Sequence, residues 1–170
     1  MNDAHLHMVV NHFPIIGTIF GIGILIAGIF LNNSSIKNTA YILFIIAAIF
    51  GALSMGTGEG AEEMVEDFPN IGKAIIHEHE ELAEKFALVL YVTGVFALIS
   101  LVAAVKKFRL AKIFSFITLI LALISGIISI NVGTSGGEIR HTEIREDSAT
   151  KVVNDTNSTE NESNKTRDEK

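Results

Sequence analysis

The sequence predicts an all-α integral membrane protein, a bundle of four transmembrane helices arranged as two helical hairpins. Three observations predict this fold class: four long uncharged apolar runs, a hydrophobic content of 49% with a mean hydropathy of +0.43, and two short polar turns that join the runs in pairs. The chain of 170 residues has no cysteine. Disulfides, iron–sulfur clusters, thiolate metal sites and covalent c-type haem attachment are therefore excluded.

Four runs have the length of membrane spans. They cover residues 13–31, 39–56, 86–105 and 113–132, and an α-helix needs about 20 residues to cross a hydrocarbon core of about 30 Å. No Lys or Arg precedes the first run, which also lacks a convincing cleavage site, so it is expected to be a retained helix. Residues 1–145 are expected to form one transmembrane domain. The polar tail, 146–170, cannot bury a core and is expected to be disordered.

Basic residues mark one end of the predicted bundle. The turn of the first hairpin contains Lys37, and the turn of the second contains Lys106, Lys107, Arg109 and Lys112. Because cytoplasmic loops retain Lys and Arg, these turns are expected to face the cytoplasm, with the protein in the cell inner (plasma) membrane and both termini on the outer, periplasmic side. All six histidines then lie on the outer side: His5, His7, His12, His77, His79 and His141.

The two predicted hairpins resemble each other in sequence. An offset of 72 residues places His5-Leu6-His7 on His77-Glu78-His79, and Lys37 on Arg109. The second and fourth runs both end in Gly-Thr followed by a glutamate, after a shift of a few residues. Because both hairpins enter the membrane from the same side, such an internal repeat would relate the two halves by a pseudo-twofold axis along the membrane normal.

The histidines are the main functional clue, because imidazole is the side chain most used both as a metal ligand and as an axial haem ligand. His12 lies at the mouth of the first run. His77 and Glu81 share one face of a predicted helix, and His79 points away from that face. His141 directly follows the fourth span and its Gly-rich exit.

Three uses of these side chains remain open from the residues alone. The first is a b-type haem bridged by His12 and either His77 or His79, with Arg140 near the propionates and His141 as a further cofactor-binding candidate. The second is a copper, zinc or iron ion. Its candidate ligands are His12, His77, Glu81 and His141. The third is an ordinary interfacial role, in which histidines cap helices or contact lipid headgroups.

Two motifs frame the predicted bundle, Asn11-His12-Phe13-Pro14 at its start and Gly136-Gly137-Glu138-Ile139-Arg140-His141 at its end. With the two hairpins and the histidine before the third run, they resemble a family of bacterial four-helix inner-membrane proteins that has a His-Phe-Pro signature and is catalogued as a domain of unknown function. The resemblance covers residues 4–143. Members resemble small cytochrome-b-like modules, and some are fused to Rieske-type iron–sulfur domains, which implies a redox role.

By this resemblance His12, His77 and His141 are the positions that carry over as ligands. The sequence departs from the family pattern at His5-Leu6-His7, where other members commonly show His-Pro. The resemblance therefore assigns no role to His5 or His7.

These observations predict a multi-pass membrane protein that binds haem b or a transition metal ion at its outer face, as an electron-transfer or redox-associated subunit. The alternatives are a membrane protein that senses or delivers copper, zinc or iron, and a structural or assembly subunit without a ligand. No phosphate loop, nucleotide fingerprint or nucleophile with a base is found, so we do not expect an enzyme acting alone. The expected partners are the lipid bilayer and either a redox protein or a second copy of the chain, and not nucleic acid.

Overall fold

The computed structural model describes residues 2–65, 72–141 and 145, and within these ranges the regular secondary structure is all helical. The helices are α1 (Asp3–Val10), α2 (His12–Phe30), α3 (Ser34–Val65), α4 (Lys73–Val105) and α5 (Ala111–Arg140). Four helical stretches, α1 with α2, α3, α4 and α5, are long and apolar enough to cross a membrane. The predicted fold class is confirmed, and the four stretches fit a multi-pass membrane protein. The predicted disordered tail, 146–170, lies outside the described residues.

Three helices extend well beyond the predicted spans. α3 has 32 residues and α4 has 33, which at about 1.5 Å per residue is longer than a hydrocarbon core of about 30 Å. Residues 57–65, 73–85 and 133–140 form these extensions, all at the end of the bundle where the histidines lie. The glycines, threonines and serine that follow the second and fourth runs are poor helix formers, so the helices continue there because they pack against neighbouring helices rather than because of intrinsic propensity.

Neighbouring helices run antiparallel around the bundle. α2 packs on α3, α3 on α4 and α4 on α5, and α5 also contacts α2, while α1 lies against α3. The turns 31–33 and 106–110 contain Asn32 and Lys107 with φ of 47° and 56°, the left-handed conformation that lets the chain reverse after a helix. The basic turns and the histidines consequently lie at opposite ends of the bundle.

The surface of the bundle is apolar and its interior contains many hydroxyl groups. Large side chains such as Phe20, Phe30 and Ile127 are exposed on the outside, as expected for helices that face lipid. Between α4 and α5, the buried hydroxyl of Ser100 lies 2.9 Å from that of Thr118. In lipid, small residues and hydroxyl pairs of this kind hold helices together where a hydrophobic driving force is absent.

The burial pattern is consistent with the predicted internal repeat. The offset of 72 residues that relates His7 to His79 maps each buried residue of α2 onto a buried residue of α4. In this way Pro14, Thr18, Gly21, Leu25 and Gly28 correspond to Phe86, Leu90, Thr93, Ala97 and Ser100.

In the second helices of the hairpins, four of the five buried residues of α3 map onto buried residues of α5 at an offset of 78, and Tyr41 maps onto the partly buried Leu119. Ala40, Phe44, Ala47 and Gly51 of α3 correspond to the buried Thr118, Ala122, Ser125 and Ser129 of α5. The longer second turn and the adjoining helix ends contain the residues that make the second offset larger. Both α2 and α4 pack on α3 and α5 and so lie diagonally across the bundle from each other, an arrangement that is consistent with a pseudo-twofold axis between the two hairpins.

Candidate functional site

The six histidines differ in exposure, although all lie at the same end of the bundle. His7 and His79 are half-buried, whereas the other four are exposed: His5, His12, His77 and His141. Burial therefore separates the second histidine of each His-x-His motif from the first. The ring of His7 is hydrogen-bonded to α3, and the ring of His79 is hydrogen-bonded to α5.

His7 of α1 is held against the end of α3. Its Nδ1 lies 3.0 Å from the carbonyl oxygen of Ser54 and 3.2 Å from Oγ1 of Thr57. A carbonyl oxygen only accepts hydrogen bonds, so Nδ1 carries the proton and donates it. The hydroxyl of Thr57 lies within donating distance of the carbonyls of Leu53 and Ser54, which leaves its oxygen to accept from His7. The neutral ring therefore has its lone pair on Nε2.

His79 of α4 is held against the end of α5 in the same manner. Its Nδ1 lies 2.9 Å from Oγ of Ser135. The hydroxyl of Ser135 also lies within donating distance of the carbonyl oxygen of Val132, at 3.2 Å. When it donates there, its oxygen accepts from Nδ1 of His79, and this ring then has the same tautomer as His7, with the lone pair on Nε2.

Each of the two half-buried rings lies beside a glycine that follows its hydroxyl partner. A Cβ at Gly58 would lie 3.9 Å from Cε1 of His7, and a Cβ at Gly136 would lie 3.0 Å from Cε1 of His79. The pairs Thr57-Gly58 and Ser135-Gly136 are 78 residues apart, and the two histidines are 72 apart. These are the offsets that relate the buried positions of the two hairpins. The rings also lie within electrostatic reach of each other.

His12 lies outside this pair but near it. Its Nδ1 is 3.2 Å from the carbonyl oxygen of Met8, and its ring is within electrostatic reach of His7. The side chain is exposed and lines an open apolar groove of about 350 Å³ between α2 and α3, together with Phe13 and Leu43. The structure therefore places His12 at the surface of the bundle.

His77 lies on the exposed side of α4. Its side chain is 74% exposed, with Nδ1 3.8 Å from a carboxylate oxygen of Glu80 and Nε2 3.5 Å from one of Glu81. The predicted shared face of His77 and Glu81 is confirmed. Glu81 also forms an ion pair with Lys85 at 3.0 Å, so this face of α4 is an exposed row of polar side chains, while His79 lies against α5.

The C-terminal end of α5 contains the remaining candidates. His141 is exposed, and its backbone N–H donates to the carbonyl of Gly137 at 2.9 Å. Arg140 is the last residue of α5, and its side chain lies outside the described part of the chain. Arg145 donates from Nε to the carbonyl of Glu138 at 2.8 Å, which satisfies one of the free carbonyls that end a helix.

The predicted metal ligands do not form one cluster. Among residues 2–65, 72–141 and 145, no group of three or more His, Asp or Glu side chains could hold a metal ion. The set His12, His77, Glu81 and His141 is therefore not gathered into such a group there. Sequence reasoning gave no role to His7, although the repeat that aligns it with His79 was a signal that pointed to it.

Comparisons with protein-family models, with curated proteins and with solved structures find no match to this chain. The family resemblance of the two framing motifs stays a prediction.

Proposed function

We propose that this multi-pass membrane protein binds haem b or a transition metal ion through histidines at one end of its bundle, and that it acts in electron transfer. The observation that supports this most is the state of the two half-buried imidazoles, His7 and His79. Each has Nδ1 hydrogen-bonded to a neighbouring helix, to a carbonyl oxygen at His7 and to a hydroxyl at His79, and this bonding leaves Nε2 as the nitrogen that can bind a metal. Metal-ligating histidines have this arrangement, because a hydrogen bond on the second nitrogen fixes the tautomer and the orientation of the ring.

The two imidazoles are chemically suited to bind a haem or one of the proposed metal ions. Neutral imidazole suits iron, copper and zinc, and it is a common axial ligand of haem. A bound haem supplies one-electron chemistry, and the resemblance to cytochrome-b-like modules supports that use. The protein itself contributes the two rings, the acceptors that hold them, and helices that position them just beyond the predicted spans.

In this proposal, the basic residues of the two turns determine which side of the membrane the site faces. The opposite end of the bundle has five basic residues in its two turns: Lys37, Lys106, Lys107, Arg109 and Lys112. Because such turns are retained on the cytoplasmic side, we place the histidine end on the outer side of the inner membrane. Accessibility of an engineered cysteine at Ser158, compared with one at Ser34, to a membrane-impermeant maleimide in intact cells tests this placement. Labelling of the Ser34 variant alone would contradict it.

A structural or assembly role without a ligand is the second candidate, and the same hydrogen bonds favour it. The His7 bonds tie α1 to α3, and the His79 bond ties α4 to α5. A buried hydrogen bond contributes about 1 kcal/mol to stability, so the two rings would be useful to the fold even if they bound nothing.

An absorption spectrum with elemental analysis separates these possibilities. The protein is expressed with haem and metal salts supplied, purified in mild detergent, and measured in the oxidised state and after dithionite reduction. Haem bands in the reduced-minus-oxidised spectrum, or stoichiometric copper, zinc or iron, are expected. Metal without a haem spectrum would favour the metal-handling form of the proposal. Absence of both would overturn the proposal and leave the structural role.

A further inference from the structure

We infer that the ligand is a haem, and that His7 and His79 are its two axial ligands, one from each hairpin. This inference rests on the proposed function. It specifies haem as the bound group and His7 and His79 as the residues that coordinate it. Three observations support it: the number of available imidazoles, their equivalent positions in the repeat, and their shared hydrogen-bond state.

The number of ligands distinguishes a haem from a bare zinc ion. Zinc takes four protein ligands in structural sites and three with a water in catalytic sites. The described residues offer two half-buried imidazoles within electrostatic reach of each other, and no group of three or more His, Asp or Glu side chains that could hold a metal ion. Haem iron comes with its porphyrin nitrogens and needs only axial ligands from the protein. Two imidazoles therefore complete the coordination of haem iron, and they leave a bare zinc ion short.

The repeat explains why the two ligands match. His7 and His79 lie at equivalent positions of the two hairpins, each beside a hydroxyl and a glycine at the end of the following helix. A ligand shared by equivalent groups of two halves lies on the axis that relates them. A haem with the same side chain on both faces has this property, whereas a site built from His12 and His77 would use non-equivalent positions.

The hydroxyls of Thr57 and Ser135 act as positioning residues in this site. Each accepts a hydrogen bond from Nδ1 of the adjacent histidine, which makes the imidazole a stronger electron donor at Nε2 and favours the oxidised iron. Removing the acceptor should therefore raise the reduction potential. In the Thr57→Val variant, Nδ1 of His7 still has the carbonyl oxygen of Ser54 as an acceptor. Ser135→Ala should therefore raise the reduction potential more than Thr57→Val does.

The His-x-His motifs provide matched controls for the ligand test. His7→Ala and His79→Ala remove the half-buried rings, and His5→Ala and His77→Ala remove exposed rings two residues earlier on the same helices. Each full-length variant is expressed with haem precursor, purified in mild detergent, and compared by haem content and by low-temperature electron paramagnetic resonance of the oxidised iron.

We expect the wild type to show the low-spin ferric signal of two imidazole ligands. The His7→Ala and His79→Ala variants should lose this signal, while both controls keep it at wild-type intensity. Added imidazole should restore the low-spin signal to the His79→Ala variant, which a misfolded protein would not allow. His79→Gln, which keeps an amide donor for Ser135, should also lose the signal with its helical circular dichroism unchanged.

The possible failures are distinguishable. Haem that is retained in His7→Ala and His79→Ala but lost in His12→Ala would overturn the ligand pair and leave the proposed function standing. Stoichiometric metal without haem would overturn the haem while still supporting metal binding. A protein with neither haem nor metal, although well folded, would overturn both this inference and the proposed function.

Discussion

Gly94 of α4 lies close against α3, and its replacement by Ala tests the packing of the bundle. A Cβ at Gly94 would lie 2.7 Å from Cβ of Ala48 and 3.7 Å from the carbonyl oxygen of Phe44. Two carbon atoms pack best at about 3.5–4.0 Å. Since neither Cβ can rotate away from its backbone, α3 and α4 must separate by about 1 Å for the new contact to reach that distance.

Gly94→Ala should therefore destabilise the protein by about 1–3 kcal/mol, the usual cost of adding a methyl group to a well-packed core. One or two kcal/mol lowers the ratio of folded to unfolded protein by a factor of roughly 5–30. The free energy of unfolding is measured by titrating the protein with sodium dodecyl sulfate in mixed micelles and following helicity by far-ultraviolet circular dichroism.

Gly23→Ala is the matched control, because Gly23 is exposed and no atom lies within 4 Å of an added Cβ. Its free energy of unfolding should equal that of the wild type or exceed it by up to about 1 kcal/mol, because Ala is a better helix former than Gly. If Gly94→Ala proved as stable as Gly23→Ala, the close approach of α3 and α4 described above would be wrong.

Two further substitutions test the opposite ends of the bundle. Tyr41→Phe removes the buried hydroxyl that pairs with Ser115, so the same titration should show a loss of about 1 kcal/mol, and an unchanged midpoint would argue against that pairing. Gly136→Ala brings a Cβ to 3.0 Å from the His79 ring, whereas Gly58→Ala leaves 3.9 Å to the equivalent ring. The amount of bound haem or metal should fall on the order of tenfold in Gly136→Ala, as when a ligand's supporting contact is lost. Equal amounts of bound haem or metal in both variants would show that Gly136 is not needed to make room for the His79 ring.

The transmembrane fold could be predicted because the bilayer imposes a strong and local constraint. Each span must satisfy its own backbone hydrogen bonds and present about 20 apolar residues to lipid, so length and hydropathy are sufficient evidence. The predicted first span, 13–31, and the helix His12–Phe30 accordingly agree within one residue at each end. The helix extensions were not predicted from hydropathy, because outside the hydrocarbon core helices no longer need apolar side chains.

The candidate ligands could be narrowed less far from the sequence than the fold could. Sequence reasoning gathered the histidines at one end and selected His12, His77, His79 and His141, because a helix mouth, an acidic neighbour and a family motif are visible in the sequence. The structure gives the most constrained positions to His7 and His79. Their hydrogen bonds reach residues 47 to 56 positions away in the chain, and contacts of this range leave no periodic signal in a single sequence.

Local composition and spacing thus determined the number of helices, their pairing into hairpins and the end of the bundle at which the histidines lie. The repeat was visible as well, since an offset in residue numbers needs no coordinates. The packing of α1 on α3 and of α4 on α5 decided which imidazole of each motif is half-buried and which nitrogen keeps its lone pair. The physical reason is that burial and proton position depend on the partner helix, and the partner is chosen only when the bundle assembles.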